Sequence, residues 1–447
     1  MRSHCRLFLG ALLAIAAGCA PQRVQGPHVS APMPPGAEKL ADEIEANLLG
    51  NVLPAWFPRC IDPAGGFYAR FDRSWRPGEG NPKTIVYQAR QTWVAATVAR
   101  AYPKLAATYR GYATHGLAFL RERMWDAQFG GFFWLLPETM ASLAPWDRQK
   151  HLYGHVFGIY AAARMHRATG DEQALDLARR AFRWMEQHYH DDEHGGYREA
   201  VTREGRPVPY DPNLPVEQRR NAMGALYGYK SMNGHIHALE ALTELYLTWP
   251  DAAVRRRLEE LFRIVRDRIA AEPGCLHMFF TRDWQPVPHA DSYGHDIETA
   301  FLLLEAAEAL GRGDDERTRH VARTLVDHAL DYGWDAKNGG FYYEGTSTTP
   351  HDLQKSWWVQ SEGLNALLLM HELFGRRTGR YYEAFGQQWR FIDRYMIDRE
   401  HGGWHAGVTP EGLVTSEDKA HPWKAAYHNV RALVRTVARL RRLPEAP

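Results

Sequence analysis

Polar and apolar positions along this chain alternate between two kinds of segment. One kind is amphipathic. In 171–188 the apolar residues Ala174, Leu175, Ala178, Phe182 and Met185 recur at helical spacing among charged ones, the pattern of a helix with one face in a core. Asp171 stands where an N-cap is wanted, and Glu172 adds negative charge to the first turn. The other kind, seen in 152–169, is apolar on nearly all sides and suits a helix surrounded by protein. Apolar segments lie near 84–101, 150–169, 229–248, 294–311, 355–375 and 419–441. Amphipathic ones lie near 38–50, 106–124, 171–188, 251–271, 315–332 and 380–396.

A recurring turn punctuates these segments. Gly-Gly-aromatic occurs at Gly65-Gly66-Phe67, Gly130-Gly131-Phe132, Gly195-Gly196-Tyr197, Gly339-Gly340-Phe341 and Gly402-Gly403-Trp404. An acid precedes each by three or four residues: Asp62, Asp126, Asp192, Asp335 and Asp398. The intervals are 65, 65, 144 and 63 residues, and the long one holds a decayed copy, Glu272-Pro273-Gly274-Cys275-Leu276-His277. Six units of about 65 residues mark a repeat architecture. Glycine supplies the positive φ that stops a helix and turns the chain sharply. Twelve helices in six hairpins predict an all-α fold, an (α/α)6 barrel with the apolar helices inside and short strands at the turns. An open solenoid is the alternative.

Length alone, 447 residues, would suggest two or three domains. The repeat instead implies one catalytic domain over 38–447. A net charge of +1 gives no electrostatic reason to expect nucleic acid. Fifteen Trp and 21 Tyr fill a helical core and also offer flat faces for sugar rings. At the N-terminus, Arg2 and Arg6 precede an apolar run from Leu7 to Ala17, closed by Gly18-Cys19. That layout reads as a signal peptide over 1–19 with a lipoprotein-type site at Cys19; an uncleaved anchor or an ordinary signal cut nearby is the alternative. Residues 20–37 carry five Pro and two Gly and read as a tether. The expectation is an exported monomer on the periplasmic face of a bacterial membrane, the outer one because Ala20 follows Cys19, with membrane contact only through the lipid. Cys60 and Cys275 either pair or remain separate thiols.

Candidate chemistry lies at the starts of the apolar helices. Asn233, His237, Glu240 and Glu244 share one helical face, and His235 points away with Leu239 and Leu242. His235 and His237 therefore diverge, and no metal is expected there. His295 and Glu298 are i, i+3 neighbours, and a carboxylate beside an imidazole raises its basicity. Arg90, Trp423, His428 and the stretch Lys355 to Glu362 lie on other inner helices or their approaches.

The stretches MNGHIHALEALTELYLTWPD, SYGHDIETAFLLLEAAEALG, WWVQSEG and WKAAYHNVRA resemble the N-acylglucosamine 2-epimerase superfamily, most closely its cellobiose 2-epimerase branch. The resemblance runs from about Gly65 to Arg442. It implies an (α/α)6 barrel that needs no cofactor and epimerises the reducing-end glucose of a β-1,4-disaccharide to mannose at C2 through a cis-enediolate. It further implies that His295, supported by Glu298, and His428 are the acid–base pair, and that His237 assists ring opening. Arg90 and Asn233 would hold the enediolate oxygens, and Trp358 and Trp423 would stack on the sugar. Tyr153 and Glu362 join the substrate-binding set. His155 and Ala425-Ala426 depart from the family pattern, which reads Gln and a Cys-Pro-like pair, and point to a reshaped sugar pocket. Other members act as N-acylglucosamine epimerases or mannose–fructose and glucose–fructose isomerases. A glycoside hydrolase would need two carboxylates flanking the bond, whereas Asp296, Glu298 and Glu240 stand with histidines.

Overall fold

The computed structural model describes residues 36–78, 80–136, 144–375 and 378–443. The signal segment, Cys19 and nearly all of the tether lie outside the described residues. The main helices are α1 (Ala37–Asn47, carried on through a π turn at Leu48–Val52), α2 (Ile85–Ala101), α3 (Ala106–Phe119), α4 (Leu152–Thr169), α5 (Glu172–Tyr189) and α6 (Met232–Thr248). There follow α7 (Ala252–Ile264), α8 (Tyr293–Ala309), α9 (Glu316–Tyr332), α10 (Trp357–Phe374), α11 (Arg380–Phe391) and α12 (Tyr427–Leu440).

The even-numbered helices form an inner ring, each packed on the next, and α12 packs back on α2. Each odd-numbered helix covers an inner one from outside, and α1 covers α12. Burial explains the sorting. Every residue of α6 from Met232 to Leu245 is buried, whereas α5 buries one stripe and is capped by Asp171, which accepts from the Gln173 and Ala174 N–H groups. The last turn closes the ring on the first helix: Gly403 N donates to Asn51 Oδ1 at 2.8 Å and Trp404 Nε1 to Asn47 Oδ1 at 3.0 Å. The closed barrel, not the solenoid, is the fold. One boundary needs correction. The last inner helix begins at Tyr427, not near 419, because Pro422 disfavours helix before it and because Lys419 and Lys424 spend their ammoniums on turn groups.

Each Gly-Gly pair has positive φ, for example 71° and 74° at Gly130 and Gly131. The turn acid then meets a buried lysine just ahead of the inner helix. The pairs are Asp62–Lys83 (2.6 Å), Asp126–Lys150 (3.0 Å), Asp191–Lys230 (3.1 Å), Asp335–Lys355 (2.7 Å) and Asp398–Lys419 (2.6 Å). In the third turn the acid is Asp191, not Asp192. Asp191 lies four residues before Gly195, as Asp126 does before Gly130, while Asp192 reaches out to His190. Two-residue strands form beside these lysines, as at Lys150–His151 against Ala200–Val201.

A second device recurs on the fourth residue of the inner helix. The N–H of the turn aromatic donates to it: Phe67 to Gln88 Oε1 (2.7 Å), Phe132 to His155 Nε2 (2.9 Å), Tyr197 to His235 Nε2 (2.9 Å) and Phe341 to Gln360 Oε1 (3.1 Å). His155 is thus a correction. It faces the turn rather than a sugar pocket, replacing the glutamine amide with an imidazole nitrogen, and burial holds its ring neutral, as an acceptor must be. Cys60 and Cys275 are both free thiols.

Candidate active site

The first turns of the inner helices aim their remaining polar side chains at the barrel axis. Arg90 on α2 donates through Nη2 to Tyr153 OH on α4 at 3.1 Å and through Nη1 to the Trp423 carbonyl at 3.3 Å. Its guanidinium lies 4.5 Å from the Phe157 ring centroid. The Tyr153 ring meets His237 of α6 edge-on at 5.0 Å. On the other side, Trp358 of α10 packs 5.1 Å from the His295 ring and 6.0 Å from that of His428. Gly294 permits this approach, since a Cβ there would come within 2.3 Å of the indole. Trp423 stays partly exposed, 6.2 Å from Tyr153.

Beneath the histidines lies a layer of buried charge. Arg431 of α12 pairs with Glu298 at 2.8 Å, with Glu362 at 2.5 Å and with Glu240 at 3.4 Å. The Tyr427 hydroxyl donates to Glu240 at 3.0 Å and accepts from Arg431 at 2.7 Å. Burial pulls the Arg431 pKa down, but Glu362, Tyr427, Glu298 and Glu240 outweigh it and keep the guanidinium charged. Burial also pushes Glu240 and Glu362 up to about 8, against the pull of Arg431, so both can hold a proton near neutrality. Glu298, Glu362 and His428 place donor atoms within 4.8 Å of one another, close enough for an ion. Arg431 bonds both carboxylates and supplies the positive charge there.

Two expected roles are corrected. Glu298 directs Oε1 to Arg431, and the His295 Nδ1 partner is the Ser292 hydroxyl at 2.6 Å. The carboxylate that meets a histidine is Glu362, 2.7 Å from His428 Nδ1, a protein partner that the expected sugar-binding role did not include. Arg431 is the site residue that motif reading missed. Its signal was present, because three glutamates on otherwise apolar helices require a buried cation.

His237, His295 and His428 are brought together with Arg90, Asn233 and Tyr153. Burial lowers the pKa of His295 to about 3 and those of His237 and His428 well below the ordinary value, and His428 also feels Arg90, Arg431 and the other two imidazoles. All three rings are therefore neutral. His295 Nε2, His428 Nε2, both His237 nitrogens and both Asn233 amide atoms lack a hydrogen-bond partner in the protein. Buried polar atoms are seldom left so, and a cluster of them marks where a polar ligand binds. A surface groove of 1480 Å³ between α1 and α11, lined by Asn51, Gln387 and Arg394, lies outside the ring and holds none of these groups.

An (α/α)6 barrel with neutral imidazoles above a carboxylate–guanidinium layer defines a class, an enzyme whose chemistry is proton transfer. Comparison with known proteins makes it specific. The family model for N-acylglucosamine 2-epimerase matches residues 66–432. A cellobiose 2-epimerase of Bacteroides fragilis is 34% identical over 403 residues, 89% of this chain and 98% of that protein. A D-mannose isomerase of Marinomonas mediterranea is 26% identical, covering 84% of this chain and 92% of that one. The solved structure of the cellobiose 2-epimerase of Spirochaeta thermophila superposes with a TM-score of 0.80 at 34% identity, over 91% of this chain and 98% of that one. The chain belongs to the N-acylglucosamine 2-epimerase family.

Proposed function

We propose that this protein epimerises the reducing-end glucose of cellobiose, or of a related β-1,4-disaccharide, to mannose at C2. The observation that carries the reading is the pairing of two neutral imidazoles, His295 and His428, whose Nε2 atoms have no protein partner. C2 epimerisation needs one base on each face of the open-chain sugar. One removes the proton α to the aldehyde, and the other returns a proton to the opposite face. Glu362 supports this by holding His428 Nδ1 and by carrying a proton near neutrality. Ser292 fixes the ring of His295. His237 assists ring opening by moving a proton between O1 and O5. Arg90 and Asn233 hold the oxygens of the enediolate, Arg90 with fixed positive charge. Tyr153 and Trp423 bound the sugar at the rim, and Trp358, buried against the rings of His295 and His428, shapes the floor on which the sugar rests. No step calls for a cofactor.

Incubation with cellobiose tests the reading. Glucosyl-mannose is the expected product. Release of free glucose would overturn it in favour of hydrolysis. Unchanged cellobiose together with mannose turning into fructose would establish the second reading, an aldose–ketose isomerase, which the similarity to a D-mannose isomerase favours.

The catalytic domain spans 38–447 and acts as a monomer. Residues 1–19 direct export, and Cys19 carries the lipid that anchors the tether of residues 20–37 to the periplasmic face of the outer membrane. Cys19→Ser should move the protein from the membrane to the soluble periplasmic fraction; unchanged membrane association would exclude the anchor.

A further inference from the structure

The fourth turn departs from the other five at the turn acid and at its lysine partner. Backbone register fixes the equivalent positions. Two residues ahead of an inner helix, Lys150 pairs across to Val201, Lys230 to Phe280 and Lys355 to Val408; the residue ahead of α8 that pairs in this way is Asp291, to Gly345. Within the turn, Ala270 pairs with Leu276 as Trp125 does with Phe132, which puts Ala271 where Asp126 stands. The fourth residue of α8, in the place of Gln88, His155, His235 and Gln360, is Asp296. The ammonium is gone and two carboxylates face each other.

His328 of α9 completes the cluster. Its Nε2 lies 2.6 Å from the Ser347 carbonyl, which can only accept, so Nε2 carries the proton and Nδ1 of the neutral ring carries a lone pair. That lone pair points at the carboxylates, 3.7 Å from Asp291 Oδ2 and 3.6 Å from Asp296 Oδ2. Asp291, Asp296 and His328 are 5%, 0% and 3% exposed; His328 Nδ1 has no hydrogen-bond partner, and the polar neighbours of the two carboxylates are each other and the backbone N–H groups of Ser292 and Leu276. Among the described residues no lysine or arginine pairs with either acid. The separations exceed the roughly 3.2 Å limit of a good N–H···O bond. They approach the ligand–ligand edge of about 3.3 Å expected around a tetrahedral ion with bonds near 2.0 Å. Holding a histidine's outer nitrogen on a carbonyl, with the inner one free, is also how metal-binding histidines are oriented.

We propose that Asp291, Asp296 and His328 bind a divalent cation of the zinc class, which takes the place of the lysine ammonium found in the other five turns. One imidazole and two carboxylates suit zinc better than calcium or magnesium, which prefer all-oxygen sites. The ion is structural. It ties α9 and the turn to the first turn of α8, where His295 follows Gly294, and takes no part in the proton transfers.

The test is zinc content, read without any substrate. The full chain, stripped with EDTA, is mixed with zinc chloride, gel-filtered and analysed by plasma mass spectrometry. Wild type should retain one zinc per chain and melt at a higher temperature with it. Asp291→Lys restores the lysine of the other turns; it should retain no zinc and melt at a temperature indifferent to zinc or EDTA. Should that variant not fold, His328→Gln should weaken zinc binding by more than about tenfold. Wild type that retains no zinc would overturn the proposal, leaving a proton shared between the aspartates. Undiminished zinc in either variant would overturn it equally. Neither result bears on the epimerase reading, which cellobiose turnover decides separately.

Discussion

Two positions on the first five inner helices, two residues apart, differ in character. The fourth residue faces the turn: Gln88, His155, His235 and Gln360 each accept from the turn backbone, Asp296 meets the Leu276 N–H with a carboxylate instead, and α12 has the apolar Val430. The sixth residue faces the axis and varies: Arg90, Phe157, His237, Glu298 and Glu362. A job repeated around the ring keeps repeated chemistry. A centre shared by all units needs different groups from each. The buried Asp–Lys pairs, His155 and His235 belong to the first kind; His237, with His295 and His428 from the first turns of α8 and α12, belongs to the second.

This contrast can be broken most severely at the axis. His295→Ala or His428→Ala should lower turnover of cellobiose by roughly 10²–10⁴-fold, the usual contribution of a general acid or base, with little change in melting temperature. Activity within tenfold of wild type in either variant would remove that residue from the acid–base pair. On the turn side the effect should be on stability. Lys355→Met leaves Asp335 buried without its partner and should cost about 3–5 kcal/mol in urea unfolding. A cost below 1 kcal/mol would show that the pair is not a support.

The pH dependence sharpens the contrast further. Burial raises Glu362 above its unfolded value, so the folded state binds the extra proton. Its contribution to stability is complete below the unfolded pKa, near 4.5, and is lost as pH rises through about 8. Glu362→Gln should therefore flatten the fall in stability between pH 5 and 8 by up to about 1.4 kcal/mol per pH unit. A steeper fall would reverse the sign. The smallest effect is expected at His155. His155→Gln restores the acceptor used at Gln88 and Gln360 and should change stability by less than about 1 kcal/mol, whereas His155→Leu orphans the Phe132 N–H and should cost about 1–3 kcal/mol. Altered substrate preference in His155→Gln would return this residue to the sugar pocket.

The ring was legible in sequence because its turns demand glycine, and glycine pairs 65 residues apart leave few other readings. The gathering of Arg90, Asn233, His237, His295 and His428 was legible because each sits in a first turn of an apolar helix or close to one. The partners were not. Helical spacing pairs Glu298 with His295 on the same helix, but Arg431, 133 residues away, outcompetes it. Arg431, Arg435 and Arg439, spaced four apart on α12, are all buried against glutamates of other helices that lie far away in sequence. Adjacent acids in the third turn could be told apart only by seeing which one reached Lys230.

Deuterium at C2 is the most direct test of the central claim, that His295 and His428 exchange the C2 proton across the two faces of the sugar. Cellobiose turned over in deuterated water, with the product examined by NMR, should give glucosyl-mannose carrying one solvent deuterium at C2. Glucosyl-mannose that keeps the original hydrogen at C2 would contradict the account.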